Sequence, residues 1–201
     1  MSSRLIHLNG PPGIGKSTLA QRYAADHHGV LACDIDVLRT MLGGWREDFS
    51  GAGRLIRPVA LAVITAHLAQ GHDVVLPQLM ARDEELDRFE AAARDAGAET
   101  VHVLLDDAPE AVLCRWRSRP SAWDAWTAQS WAVIEEMGGD EYVALVHEQV
   151  RGAALASGAI VLQAREGELE ATYRGLLALL ADGSVPGVGG SPYGGPHDRL
   201  G

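Results

Sequence analysis

A chain of 201 residues, 47% hydrophobic and 22% charged, has room for one globular domain of ordinary size and hardly for two. Seventeen basic against 27 acidic side chains leave a formal charge of −10. That balance excludes affinity gained by coating nucleic-acid phosphates with a broad basic face, although a small basic pocket inside an acidic shell stays open.

Arg4 to Leu8 is a short apolar run ending at Asn9-Gly10, which predicts a buried first strand. The same few residues are too short for the apolar stretch of about 7 to 15 that a signal peptide needs. Ser17 to His28 has helical spacing, and Val30 to Ala32 predicts a second strand followed by a polar turn at Asp34 and Asp36. Leu55 to Leu68 predicts a helix with Leu55, Val59, Val63 and Ala66 on its apolar stripe. Asp73 to Leu76 predicts strand three, stopped by Pro77. Glu84 to Ala96 predicts a helix closed by Gly97, and Val101 to Leu105 a fourth strand. Helices are expected over Ala108–Arg119, ended by Pro120, and over Ala125–Met137 and Glu141–Ala156. Ala159 to Leu162 predicts strand five and Glu168 to Leu180 a last helix.

Short apolar strands alternating with helices predict a three-layer α/β domain over residues 1–181, its parallel sheet covered on both faces. Residues 182–201, half Gly or Pro, are expected to form a disordered tail. No uncharged run approaches the ~20 residues of a membrane helix. Cys33 and Cys114 form no CxxC pair and are read as reduced thiols, so a cytoplasmic protein is expected.

Sixteen arginines and one lysine make up the basic set, and the lysine is Lys16. A position that keeps a compact ammonium where every other site has taken a planar guanidinium needs a point charge. It lies in GPPGIGKST, Gly10 to Thr18, which has the form G-x-x-x-x-G-K-[ST] with Gly10, Gly15, Lys16 and Ser17 at the fixed positions. In such a loop Gly10, Pro12, Gly13, Ile14, Gly15 and Thr18 shape a backbone whose N–H groups surround an anion. The next helix adds its positive end, Lys16 reaches the outer phosphates, and the Ser17 hydroxyl can ligate Mg²⁺. The N-K-x-D string that reads guanine is absent from the sequence, which leaves a kinase or a small ATPase using ATP.

Cys33-Asp34-Ile35-Asp36-Val37-Leu38-Arg39 follows strand two, where an acceptor would sit beside the phosphate loop. Asp36 can accept the proton of an attacking hydroxyl, and Arg39, one helical turn on, can hold the acceptor. Either aspartate could equally cap a helix. With GPPGIGKST, D-x-D-x-x-R after strand two and an arginine-bearing helix after strand four, residues 4 to 180 resemble the small P-loop kinase group. That group includes chloramphenicol phosphotransferase-like enzymes, the kinase domain of polynucleotide kinases and zeta toxins. The resemblance implies a five-stranded parallel sheet with a mobile lid, Asp36 as general base, Arg39 as an acceptor contact, and Lys16 with Ser17 as anchors of ATP and Mg²⁺. Many members of the group carry an aspartate at the end of strand three, where this chain has Leu76-Pro77-Gln78. Gln78 can hydrogen-bond but supplies no charge, so either Asp34 takes over that role, the acceptor is held differently, or the chain is a weak catalyst.

In Cys114-Arg115-Trp116-Arg117-Ser118-Arg119-Pro120, Arg115 and Arg119 share a helical face and Arg117 points nearly opposite. Two arginines there suit a lid that neutralises charge on a transferring phosphoryl group, or serve only as solvated cations near a helix end. Trp116, Trp123, Trp126 and Trp131 fall within sixteen residues, and Trp45 follows Asp36. They are core residues or the wall of a pocket for a flat organic acceptor. The reading that results is an ATP-dependent kinase of a small organic hydroxyl compound, acting on no long nucleic acid and no membrane. A 5′-polynucleotide or nucleotide-sugar kinase, or a regulatory ATPase without an organic acceptor, is the alternative.

Overall fold

A computed structural model describes residues 2–118 and 125–181 of the chain. The predicted tail at 182–201, together with Arg119 and Trp123, lies outside the described residues. Five parallel strands form one sheet in the order β2-β3-β1-β4-β5. They are β1 (Arg4–Asn9), β2 (Leu31–Ala32), β3 (Val74–Leu76), β4 (Glu99–Asp106) and β5 (Ile160–Gln163). β1 is central, pairing with β3 from Leu5↔Val74 and with β4 from Arg4↔Glu99, which is why its residues from Leu5 to Asn9 are all buried.

The two-residue alternation of β1 sends Ile6 and Leu8 to one face and Leu5, His7 and Asn9 to the other. On the first face Ile6, Leu8, Val103 and Leu105 pack with Leu19 and Tyr23 of α1 (Lys16–Asp26), Trp116 of α5 (Pro109–Ser118) and Leu176 of α8 (Leu169–Ala181). On the second, Leu5, Val74 and Leu76 pack with α3 (Phe49–Leu68) and with Leu86 and Phe89 of α4 (Asp83–Asp95). Val146 and Val150 of α7 (Asp140–Ala156) close over Leu104, and α6 (Ala125–Glu136) precedes α7.

Two expectations change. The predicted polar turn after β2 is a short helix, α2 (Ile35–Arg39), because Asp34 caps it by accepting hydrogen bonds from the N–H of Asp36 at 2.9 Å and of Val37 at 3.4 Å. Helix α3 begins at Phe49, where the Asp48 carboxylate accepts from the Gly51 N–H, and it turns a different stripe inward. Ile56, Ala60, Ile64 and Leu68 are buried, while Leu55 is 69% exposed, Val59 50% and Val63 39%. Both stripes are apolar and lie one residue apart, so spacing alone does not choose between them; the branched Ile56 and Ile64 fill the space above Leu5 and Val74. α3 is also long and apolar enough to cross a membrane by length and composition, but here that inward stripe packs it against the sheet as a core helix.

Candidate active site

Because β1 is central, the loop that follows it opens at the carboxyl edge of the sheet, between the ends of β3 and β4. Gly10 starts that loop with φ 146°, and a Cβ there would stand 2.6 Å from the Leu105 carbonyl oxygen, so the chain leaves the sheet only through glycine. Pro12, Gly13, Ile14, Gly15, Lys16, Ser17 and Thr18 then line one cleft of about 950 Å³. Lys16 Nζ donates to the carbonyls of Gly10 and Pro11, each at 2.9 Å, which holds the ammonium at the loop's mouth. The Ser17 hydroxyl donates to Asp34 Oδ2 at 2.7 Å. Asp34 therefore serves two ends: one carboxylate oxygen caps α2 and the other faces the phosphate loop. A hydroxyl beside a carboxylate is the hard-oxygen donor pair that Mg²⁺ takes, so these residues fit that ion.

Asp36 lies in the same cleft, its side chain 29% exposed and 3.4 Å from the Arg39 guanidinium. Burial lifts its carboxyl to about 6, with Asp34 pushing the same way and Arg39 and Lys16 opposing. Arg39 is buried, and its guanidinium lies against the stacked pair of Phe49 and Trp126, 4.5 Å and 4.9 Å from the two ring centroids, which are 5.3 Å from each other. Burial holds its pKa below the usual arginine value. Beside it, Arg57 of α3 lines the cleft and pairs with Glu85. Gly53 lets the two guanidiniums come together: a Cβ there would meet Arg39 and Arg57 nitrogens, each at 3.2 Å. Arg57 escaped the sequence reading because the wrong stripe of α3 was turned inward; its signal was a glycine one turn before an arginine in an otherwise apolar helix.

Gln78 follows β3, buried and lining the cleft with Pro77 and Leu79. Arg115 also reaches the cleft lining but is itself buried and paired with Asp107, while Arg117 is turned away to Asp140 on the surface. Trp116 and Trp126 face the cleft, and Trp131 stacks behind Trp116 at 4.4 Å between ring centroids. Trp45 does not wall the cleft as expected. It is buried, its ring 6.1 Å from that of Trp126 and tilted 32° to it. The far end of the cleft is lined by Tyr142 and the Ala164–Gly167 loop after β5, for which the sequence carried no motif.

Residues 5–137 match the AAA domain family AAA_33, more than half of the chain, and the protein belongs to that family. Its fold is that of small P-loop kinases. A gluconokinase from Sinorhizobium meliloti 1021 superposes with a TM-score of 0.61 at 18% identity, over 90% of this chain and 93% of that one. Shikimate kinase from Bacteroides thetaiotaomicron gives 0.53 at 19% identity, over 89% and 98%. The Mycobacterium tuberculosis APS kinase CysC, in complex with AMPPNP and APS, gives 0.54 at 18%, over 90% and 98%. No curated protein sequence matches the chain.

Proposed function

We propose that the protein is an ATP-dependent phosphotransferase that moves the γ-phosphoryl group to a hydroxyl of a small organic molecule. The observation that carries this reading is the Asp36 carboxylate standing in one cleft with the complete phosphate loop, a base on one side and an anion cradle on the other. The fold shared with a gluconokinase, a shikimate kinase and an APS kinase supports it.

The residues divide the work as follows. The backbone of Pro12 to Thr18 and the Lys16 ammonium hold the triphosphate. Ser17 and Asp34 would hold Mg²⁺, which neutralises charge on the phosphate oxygens. Asp36 accepts the proton as the acceptor oxygen bonds to the γ-phosphorus and the bond to the ADP oxygen breaks. With a pKa of about 6, this carboxylate is mostly ionised at neutral pH yet more basic than an ordinary aspartate. Arg39 fixes Asp36 and the acceptor, and Arg115, with Arg119 from the adjoining segment, supplies positive charge to the transferring group. Ser17's hydrogen bond to Asp34 supports Asp34 as the carboxylate that replaces the one absent at Gln78.

Aromatic walls from Phe49 and Trp126 beside Asp36 favour a small organic acceptor over a nucleic-acid end, which needs a long basic groove. Incubation with Mg·ATP and a panel of polyols, sugars, hydroxy acids and amino alcohols tests the reading. A mass gain of one phosphate on at least one compound, lost in Asp36→Asn, is expected. ATP hydrolysis that no compound stimulates would contradict it.

A further inference from the structure

Several cleft side chains hold a buried polar atom with no hydrogen-bond partner among the described residues, and in Gln78 alone of them that atom is an acceptor; the others, Arg39 Nε, Arg115 Nε and Trp116 Nε1 among them, are donors. Gln78 is 6% exposed, and the unpartnered atom is its Oε1. A buried amide oxygen left unpaired is costly, and it persists where something outside the chain completes it.

The backbone beneath it is held from several directions. His7 Nε2–H donates to the Gln78 carbonyl at 2.7 Å. Two residues on, Met80 N–H donates to Asn9 Oδ1 at 3.0 Å, and Asn9 Nδ2 donates to the Met80 carbonyl at 2.8 Å. The second Asn9 Nδ2 proton points to His102 Nε2 at 3.3 Å, so that nitrogen is the acceptor and His102 carries its proton on Nδ1, toward Ser157 Oγ at 3.1 Å. His7 and His102 stack at 4.7 Å across β1 and β4. The loop carrying Gln78 is thus fixed to the strand that launches the phosphate loop, and β3 lies between β1 and β2, the strand that leads to Asp36. Gln78 lines the same cleft as Asp36 and the phosphate loop. Arg39 and Arg57, which line the same cleft, form ion pairs with Asp36 and Glu85.

We propose that Gln78 selects the phosphate acceptor, its amide oxygen taking a hydrogen bond from a second donor, a hydroxyl or an N–H, next to the hydroxyl that Asp36 deprotonates. This rests on the kinase reading and narrows it to acceptors with two neighbouring donors, such as a vicinal diol or an amino alcohol. A site built to pair a donor rejects the analogue lacking it far more strongly than an apolar pocket rejects a change of size.

The test compares wild type, Gln78→Leu and Gln78→Glu on vicinal diols, amino alcohols and their single-hydroxyl analogues, reading kcat and KM for phosphate transfer and the calorimetric Kd for Mg·ATP. Wild type is expected to prefer two-donor acceptors by about tenfold or more in kcat/KM. Gln78→Leu should erase the preference by raising KM for those acceptors, with Mg·ATP affinity retained. Gln78→Glu keeps an acceptor oxygen and should keep the preference, while its added carboxylate moves the acid limb of the pH profile upward. A preference that survives Gln78→Leu overturns the proposal, as does a parallel loss of Mg·ATP affinity, which would make Gln78 only a part of the scaffold. If wild type hydrolyses ATP but phosphorylates none of these compounds, the kinase reading itself fails and the proposal falls with it.

Discussion

At the residue scale, the chemistry turns on how Asp36 is made basic. Its carboxyl is lifted to about 6 chiefly by burial, and Arg39 at 3.4 Å opposes that lift without cancelling it. Transfer needs the ionised form, so kcat/KM is expected to fall below a midpoint near pH 6, where an ordinary aspartate would give one near 4. Asp36→Asn should lower kcat by about 10²- to 10⁴-fold. The same residue has the opposite sign in stability. A carboxyl whose folded pKa is raised favours the fold while protonated, and that contribution is lost as pH climbs through about 6. Asp36→Asn should therefore stabilise the protein above pH 6, on the order of 2 kcal/mol after allowing for partial exposure, with the gain gone below pH 4. Urea unfolding of both proteins at pH 8 and pH 3.5 checks this. A variant less stable than wild type at pH 8 would mean that pairing with Arg39, not burial, governs the carboxylate.

Among the elements, what the sequence could and could not disclose is clearest in α3 and α2. The phosphate loop was legible because its glycines, lysine and serine are each required at a fixed place by backbone geometry or charge. The central strands β1, β3 and β4 were legible because they are buried over most of their length and read as apolar runs, while the edge strands β2 and β5, only partly buried, were legible as short apolar stretches between helices. In α3 the two apolar stripes compete, and the outcome depends on the shape of a sheet that spacing does not contain. The arrangement seen predicts that Ile64→Ala costs about 2–5 kcal/mol while Val59→Ala stays within about 0.5 kcal/mol. Chemical denaturation of the two variants measures it, and the reverse order would restore the predicted stripe. Arg57 and the stacked Phe49–Trp126 pair with Arg39 beside it were hidden for the same reason, since each depends on which side of a helix meets the cleft. Asp34 was ambiguous in sequence between cap and functional carboxylate, and its two oxygens let it do both.

Across the whole molecule, the sheet order ties the catalytic edge together through a buried polar ladder. His7, His102 and Asn9 occupy the face of β1 and β4 beneath the loop carrying Gln78, where apolar residues would otherwise continue. The hydrogen bond from Asn9 to His102 Nε2 requires a neutral His102 ring, and burial holds His7 down to about 3, against the pull of its bond to the Gln78 carbonyl, and His102 to about 4. The unfolded chain takes up these protons near pH 6.5 and the folded chain does not, so stability is complete above that pH and declines as pH falls toward 4. Two histidines outweigh the opposing contribution of Asp36, and the urea midpoint should drop steadily from pH 7 to pH 4.5; a flat profile would show that the ladder tolerates charge. The claim on which the rest depends is that this cleft passes phosphate from ATP to an organic hydroxyl through Asp36. ADP release, followed with and without the acceptor found by mass gain in wild type and in Asp36→Asn, measures it directly. The account predicts strong acceptor stimulation in wild type and none in the variant; acceptor-independent hydrolysis at equal rates in both would contradict it.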